Sequence, residues 1–201
     1  IDSIKISKEK KVCLEEAARI GRYGVFDSLI QKAIVDKICL GHHMQDQAET
    51  ILLNIFRGSG LQGASGMEVI RDNYLRPMLN TQKLEIIQYA GTNEIPYVED
   101  DTNYDENYTR NYLRQIIMPK LRLKWYNLDK NIVDFGRICK EDDNYIKSQM
   151  FFDGIIQDKN LVRIPLSYFL YPAPVVNRML LKELEYLKVN KDIEKKHLHI
   201  I

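Results

Sequence analysis

Lys37-Ile38-Cys39-Leu40-Gly41 is a short apolar run closed by glycine, the pattern of a buried strand. It passes at once into Gly41-His42-His43-Met44-Gln45-Asp46-Gln47-Ala48-Glu49-Thr50 and a helical period that sets Ala48, Ile51, Leu52, Ile55 and Phe56 on one side. A strand feeding directly into an amphipathic helix constrains the fold strongly, because such units build parallel α/β sheets. The helix is stopped by glycine. Four of the chain's ten glycines, Gly58, Gly60, Gly63 and Gly66, fall within nine residues, so the backbone there turns tightly or passes close to something.

The same alternation extends to both sides. Residues 7–26 read as an amphipathic helix through Val12, Leu14, Ala17, Ala18, Ile20 and Val25. Residues 74–79 read as a strand, 81–91 as a short helix with a glycine stop, and 95–98 as extended chain. Beyond about residue 120 the alternation fades. Residues 131–150 and 174–187 are long helical patterns separated by a strand-like 160–165. The expected class is α/β, part of a parallel sheet, followed by a small mostly helical domain.

The 201 residues exceed one average domain of roughly 150 residues, so one domain with a small second is expected. No apolar run approaches the roughly 18 residues of a membrane span. The start, Ile1-Asp2-Ser3-Ile4-Lys5, has neither a signal peptide nor an initiator methionine, and the end at His199-Ile200-Ile201 is abrupt. A piece of a longer chain is expected. Three widely spaced cysteines, Cys13, Cys39 and Cys139, argue against a disulfide framework and for a reduced, cytoplasmic protein.

Net charge is only +1, yet it is unevenly spread. Residues 99–106 carry five acids (Glu99, Asp100, Asp101, Asp105, Glu106) and no base; residues 107–124 carry five bases (Arg110, Arg114, Lys120, Arg122, Lys124) and no acid. The basic segment reads either as a phosphate-binding surface or as a solvated helix face.

Chemistry concentrates at 41–50. Ligands of open α/β sheets bind at the carboxyl ends of strands, and a helix starting near Met44 would turn its first amides toward an anion. Asp46, Glu49, Thr50 and Arg57 share the side of that helix opposite the apolar stripe. Three readings stay open. The acids complement the helix N-terminus; they hold a nucleotide phosphate with magnesium; or they join His42 and His43 around a transition metal.

The longer string resembles one family. Glu15-Glu16-Ala17-Ala18-Arg19 with Arg22-Tyr23 and Phe26, then Gly41-His42-His43 with Asp46-Gln47-Ala48-Glu49-Thr50, then Arg57-Gly58-Ser59-Gly60-Leu61 with Gly63 and Gly66-Met67, is similar to the tRNA(Ile)-lysidine synthetases of the PP-loop ATP pyrophosphatase superfamily. Leu75-Arg76-Pro77-Met78-Leu79, Asp101-Thr102-Asn103, Arg110-Asn111 with Arg114, Pro119 with Leu121, the stretch 172–187 and Lys191-Asp192-Ile193-Glu194-Lys195-Lys196-His197 continue the likeness in the family's order.

The resemblance implies an adenine-nucleotide α-hydrolase-like (PP-loop) domain. Residues 1–124 would be its later part, and 125–201 a linker helix with a small helical tRNA-binding domain. It implies a ligase that uses ATP to adenylate C2 of the wobble cytidine in an isoleucine tRNA with a CAU anticodon. An amino group of L-lysine then displaces AMP, forming lysidine, and codon reading changes from AUG to AUA. Arg19, Arg22, His42, Asp46 and Glu49 would line the ATP and reaction site, with Asp46 and Glu49 positioning Mg2+ or the attacking amine. Arg57, Arg110 and Arg114, with Lys120 and Arg122 of the same basic segment, would meet phosphates of ATP or of the tRNA backbone. Tyr108, Tyr112 and Trp125 are candidates to stack on anticodon bases. No membrane is involved, and a homodimer is left open.

Two departures accompany the resemblance. The family's phosphate loop, S-G-G-x-D-S, does not occur in the 201 residues, so this chain alone is expected to be inactive. Gln45 stands where many members carry an acid. A PP-loop tRNA thiolase is the related enzymatic alternative, without its usual C-x-x-C pairs here, and a non-catalytic tRNA-binding module is the other.

Overall fold

The structure, a computed structural model, describes residues 2–98 and 109–188. The acidic stretch 99–106, the motif Asp101-Thr102-Asn103, Tyr108 and the motif at 191–197 lie outside the described residues. The chain divides into two compact units, one of residues 1–57 and 66–133, the other of 58–65 and 134–201.

The first unit opens with two helices packed on each other, α1 (Ser3–Lys10) and α2 (Leu14–Gln31). The single helix expected over 7–26 is therefore two. Lys11 adopts the left-handed conformation (φ 55°) that ends α1, and α2 starts anew after Cys13. Strand β1 (Ile38–Cys39) leads into α3 (Met44–Phe56), which starts where its sequence pattern placed it. Strands β2 (Ile70–Arg71) and β3 (Tyr74–Leu75) follow across a tight turn; β3 pairs parallel with β1 and antiparallel with β2, giving the order β1-β3-β2.

The sheet is thus mixed, a parallel pair with an antiparallel edge strand. The expected strand at 74–79 shortens to two residues because Pro77 has no N–H to continue the ladder. Residues 95–98 form no regular strand. Helix α5 (Lys83–Thr92), expected over 81–91, is capped by Glu85, whose Oε2 accepts the Gln82 N–H at 2.8 Å.

The basic segment is helical: α6 (Thr109–Tyr112), a π-helical turn over Leu113–Ile117, and α7 (Met118–Arg122). The Met118 N–H bonds to the Leu113 carbonyl, five residues back. This widened turn brings Leu113 and Met118 onto one face, where both are buried with Ala48 and Leu53 of α3. Leu52, Leu121, Leu128, Ile132 and Val133 pack around that cluster. The basic run is therefore amphipathic, anchored to α3 by its apolar face.

Helix α8 (Leu128–Ser148) carries the chain into the second unit, which also holds α4 (Leu61–Ala64). There β4 (Ile156–Asp158) and β5 (Leu161–Arg163) form an antiparallel hairpin with Gln157 opposite Val162. A 3-10 turn (Leu166–Leu170) and α9 (Ala173–Tyr186) complete it. Its core is Tyr168, Val175 and Met179, with Ile146, Met150, Phe151, Phe152, Ile155 and Ile164 packed against them. Asp143, buried, accepts from Arg178 Nε and Nη2 at 3.0 and 2.6 Å and ion-pairs with Lys147 Nζ at 2.8 Å.

No helix among the described residues is long and apolar enough to cross a membrane.

Candidate functional site

The junction between β1 and α3 is tied down at every step. Leu40 donates to the Leu75 carbonyl at 2.8 Å, carrying the parallel pairing one residue past the strand. The Met44 N–H reaches the Thr81 carbonyl at 3.0 Å, and Gln45 Oε1 accepts the Lys83 N–H at 2.9 Å. Gln45 thus supplies an acceptor that a carboxylate would also supply, so the missing acid leaves the backbone anchored. Asp46 Oδ2 accepts the His43 N–H at 3.1 Å, as an acid in a first helical turn commonly does.

One turn apart on α3, Asp46 and Glu49 face Arg110 and Arg114, one turn apart on the basic segment. Arg114 Nε donates to Glu49 Oε1 at 2.8 Å, and its Nη2 donates to Glu49 Oε2 and Asp46 Oδ1, each at 2.7 Å. Arg110 Nε donates to Glu49 Oε2 at 3.1 Å, and its Nη2 lies 3.2 Å from the Asp46 carbonyl and 3.4 Å from Thr50 Oγ1. Two acids and two bases cancel in formal charge. Forked guanidinium–carboxylate bonds of this length are the strong class of hydrogen bond. Glu49 lies almost wholly inside, with 1% of its side chain exposed against 32% for each arginine. The hydrogen bonds it donates to Glu49 hold the Arg114 guanidinium above its ordinary pKa, against the cost of burial.

His42 and His43 sit at the rim of this network. Burial, opposed by Asp46, lowers both below the ordinary histidine pKa; Arg76, Arg110 and Arg22 depress His42 further, and Arg114 and Lys83 depress His43. His43 Nε2 lies 3.3 Å from Asp46 Oδ2. The Nδ1 atoms of both rings are buried without a partner among the described residues, as is Arg76 Nε. Arg76 is itself buried and donates from Nη1 to the Glu68 carbonyl at 2.8 Å.

Of the residues singled out in the sequence, the fold gathers Arg22, His42, Asp46, Glu49, Arg110 and Arg114. It does not bring Arg57 there: that residue caps the far end of α3, about 16 Å from Asp46 along the helix axis. Arg19 is exposed, pairs with Glu16 at 3.4 Å and lies over the Tyr23 ring. Lys120 is exposed, and Arg122 is engaged in a bidentate bond with Asp129 at 2.8 and 2.9 Å.

Arg76 and Gln47 join the site without having been assigned a role, as do His43, read before only as a possible metal ligand, and Thr50, read only as sharing the polar helix side. Gln47 Nε2 donates to the Met67 carbonyl at 2.9 Å and its Oε1 accepts the Met67 N–H at 2.8 Å, holding Gly66-Met67 onto α3. Gly66 there has φ +73°, and a Cβ on it would come within 2.7 Å of the Gln47 side chain. The crowding of glycines was the available signal for that close approach.

The donor set fits a magnesium ion poorly. Asp46 Oδ1 and both Glu49 oxygens are taken by guanidinium N–H groups, and Asp46 Oδ2 by the His43 amide. Among the described residues no group of three or more His, Cys, Asp or Glu side chains is arranged to hold a metal, so the transition-metal reading of His42, His43, Asp46 and Glu49 also lacks its geometry.

Comparison with known proteins gives a consistent result. The tRNA(Ile)-lysidine synthase of Legionella pneumophila (strain Lens) is 39% identical over 140 residues, 68% of this chain and 32% of that protein. The one from Clostridioides difficile (strain 630) is 32% identical over 171 residues, 82% of this chain and 37% of its own length. That of Clostridium tetani (strain Massachusetts / E88) is 31% identical over 198 residues, 94% and 42%. The chain spans between 32% and 42% of the length of these curated relatives. Residues 1–121, which hold α1 through α7 bar its last residue and every member of the Asp46–Glu49–Arg110–Arg114 network, match the PP-loop domain, and the chain belongs to that α/β family.

Proposed function

We propose that this chain is part of an ATP-dependent ligase that joins L-lysine to C2 of the wobble cytidine of a CAU-anticodon tRNA(Ile), giving lysidine and shifting codon reading from AUG to AUA. The observation that carries the reading is the Asp46–Glu49–Arg110–Arg114 network at the carboxyl end of β1, in a chain with relatives of that name. ATP supplies the adenylate that activates C2. The arginines that add to burial in depressing His42, namely Arg76, Arg110 and Arg22, suit a polyphosphate, and we assign Arg19, Arg22 and His42 to its side of the site.

Burial separates the two acids. Glu49 is closed off and positions Arg114, whereas Asp46 keeps 13% of its side chain open and is the carboxylate able to orient the incoming ammonium of lysine. In the second step the carbon–nitrogen bond forms, the bond from C2 to the adenylate oxygen breaks, and the amine releases its proton. No step is routed through magnesium. The exposed thirds of Arg110 and Arg114, with Arg57 and Lys120, would meet phosphate, Arg122 being held by Asp129 instead, and residues 125–201 would supply a linker helix and a small helical tRNA-binding domain. We place the protein in the cytoplasm and expect this chain alone to be inactive.

The test is labelled lysine incorporated into isoleucine transcripts by the longer parent protein, with AMP release followed in parallel. Incorporation that requires ATP and a CAU anticodon supports the reading. Activity on no transcript, or incorporation of sulfur instead of lysine, sinks it.

A further inference from the structure

Residues 123–127, between α7 and α8, hold apolar side chains out to solvent on a backbone that is itself well anchored. The Leu123 N–H bonds to the Pro119 carbonyl at 3.2 Å, and the Lys124 and Trp125 amides both reach the Leu121 carbonyl at 3.0 Å. On the far side, Leu128 donates to the Trp125 carbonyl at 3.1 Å. Arg122 bridges the base of the loop through its two bonds to Asp129. Leu121 and Leu128, flanking the loop, are packed on the core. Yet Leu123 is 88% exposed, Trp125 54% and Tyr126 96%.

Single exposed apolar residues are ordinary on protein surfaces, but three within four positions, including the chain's one tryptophan, form a patch. The sequence that flanks it is predominantly basic. Asp129 is the only acid between positions 107 and 133, and Arg122 occupies it. Lys120, Lys124 and Lys130 are exposed. An uncovered surface of aromatic rings set among cations complements a partner with anionic backbone and flat apolar faces, which is single-stranded nucleic acid. The anchoring matters to affinity, since the ordering entropy of the loop is already met before binding.

We propose that Trp125 and Tyr126 form a stacking platform for unpaired RNA bases, with Lys120, Lys124 and Lys130 meeting the adjoining phosphates and Arg122 acting as a positioning residue through Asp129. The proposal rests on the tRNA-ligase reading for the identity of the nucleic acid, but its test is separable. Trp125 is the sole tryptophan, so emission reports on this loop alone.

The full chain is titrated with an RNA hairpin carrying an unpaired loop, with a blunt RNA duplex of equal length, and with phosphatidylserine vesicles. The hairpin is expected to quench the emission saturably and the duplex to leave it nearly unchanged. Replacing both rings, Trp125→Ala with Tyr126→Ala, should weaken hairpin binding about tenfold or more, read by fluorescence anisotropy of labelled RNA. Trp125→Phe should keep most of the affinity, and Lys124→Ala should lower the salt slope by about 0.7.

Equal quenching by duplex and hairpin overturns the proposal, as does unchanged affinity in the double variant. Quenching by vesicles alone assigns the patch to lipid, and a concentration-dependent shift without RNA assigns it to a second copy of the chain. Quenching by the hairpin together with no lysine incorporation by the parent would leave the platform standing and remove the ligase. The reverse pair of results would remove the platform alone.

Discussion

Arg114 grips Glu49 with a two-pronged bond, Nε to Oε1 at 2.8 Å and Nη2 to Oε2 at 2.7 Å, across 65 residues of sequence. The basic segment owes its place beside α3 to this bond as well as to its buried apolar face. Removing the guanidinium leaves a carboxylate that is 1% exposed with, among the described residues, Arg110 as its remaining cation. Arg114→Ala is therefore expected to cost about 3 kcal/mol in denaturant unfolding. Adding Glu49→Gln should recover part of that loss. Strict additivity in the double-mutant cycle would contradict the pairing.

Asp46 is expected to matter to chemistry more than to folding. In the longer parent, Asp46→Asn keeps an oxygen to accept the His43 amide and should reduce lysine incorporation at least about 100-fold, while filter retention of tRNA stays near wild type. Undiminished incorporation would remove Asp46 from the reaction.

The seating of Gly66-Met67 on Gln47 is a backbone matter. Gly66→Ala places a methyl group against the Gln47 amide and strains a positive φ, so a loss of about 2 kcal/mol or more is expected. Gln47→Ala, which leaves the Met67 N–H and carbonyl unserved, should also destabilise, by about 1–3 kcal/mol. Thermal unfolding of the two variants and their combination checks this, with sub-additive losses expected because both act on one contact.

Acid should weaken the site first through its histidines. Burial lowers the folded pKa of His42 and His43 below the unfolded value of 6.5, so the unfolded chain binds more protons in the window between. Their contribution to stability is present above 6.5 and is lost as pH falls through the folded pKa values. Replacing both with Gln should flatten the stability profile below pH 6.5. A profile identical to wild type would show that the rings do not carry it.

In the second unit, burial raises the pKa of Asp143, but Lys147 and Arg178 outweigh it and hold the carboxyl below its ordinary value. Stability from this triad is present above the unfolded carboxylate pKa and falls away as pH drops through the folded one. Arg178→Met should cost about 3–5 kcal/mol at neutral pH and less in acid, because Asp143 then loses its charge. Equal losses at both pH values would contradict the sign.

The strand–helix junction at 37–50 and the long helices α8 and α9 were legible because hydrophobic period and glycine stops act locally. The pairing of strands was less so. Pro77 trims β3 to two residues, and β2 runs antiparallel, where five alternating segments had suggested a wholly parallel sheet. The break at Lys11 depends on one left-handed residue, to which side-chain period is blind. For the site, residue type and spacing marked Asp46, Glu49, Arg110 and Arg114, but nothing local showed that the last two bind the first two.

By itself, the sequence determined the α/β class, the start of α3 and the group of residues with chemistry to offer, since each follows from local period, capping and residue type. Only the tertiary structure decided that the basic segment turns its arginines inward to neutralise two buried acids, that Arg57 stands about 16 Å from them along the helix axis, and that Arg122 braces a loop carrying Trp125 outward. The physical reason is that a buried carboxylate must find a cation wherever the fold can bring one. That choice is made by packing Leu113 and Met118 against Ala48 and Leu53, residues 60 or more positions apart in the chain.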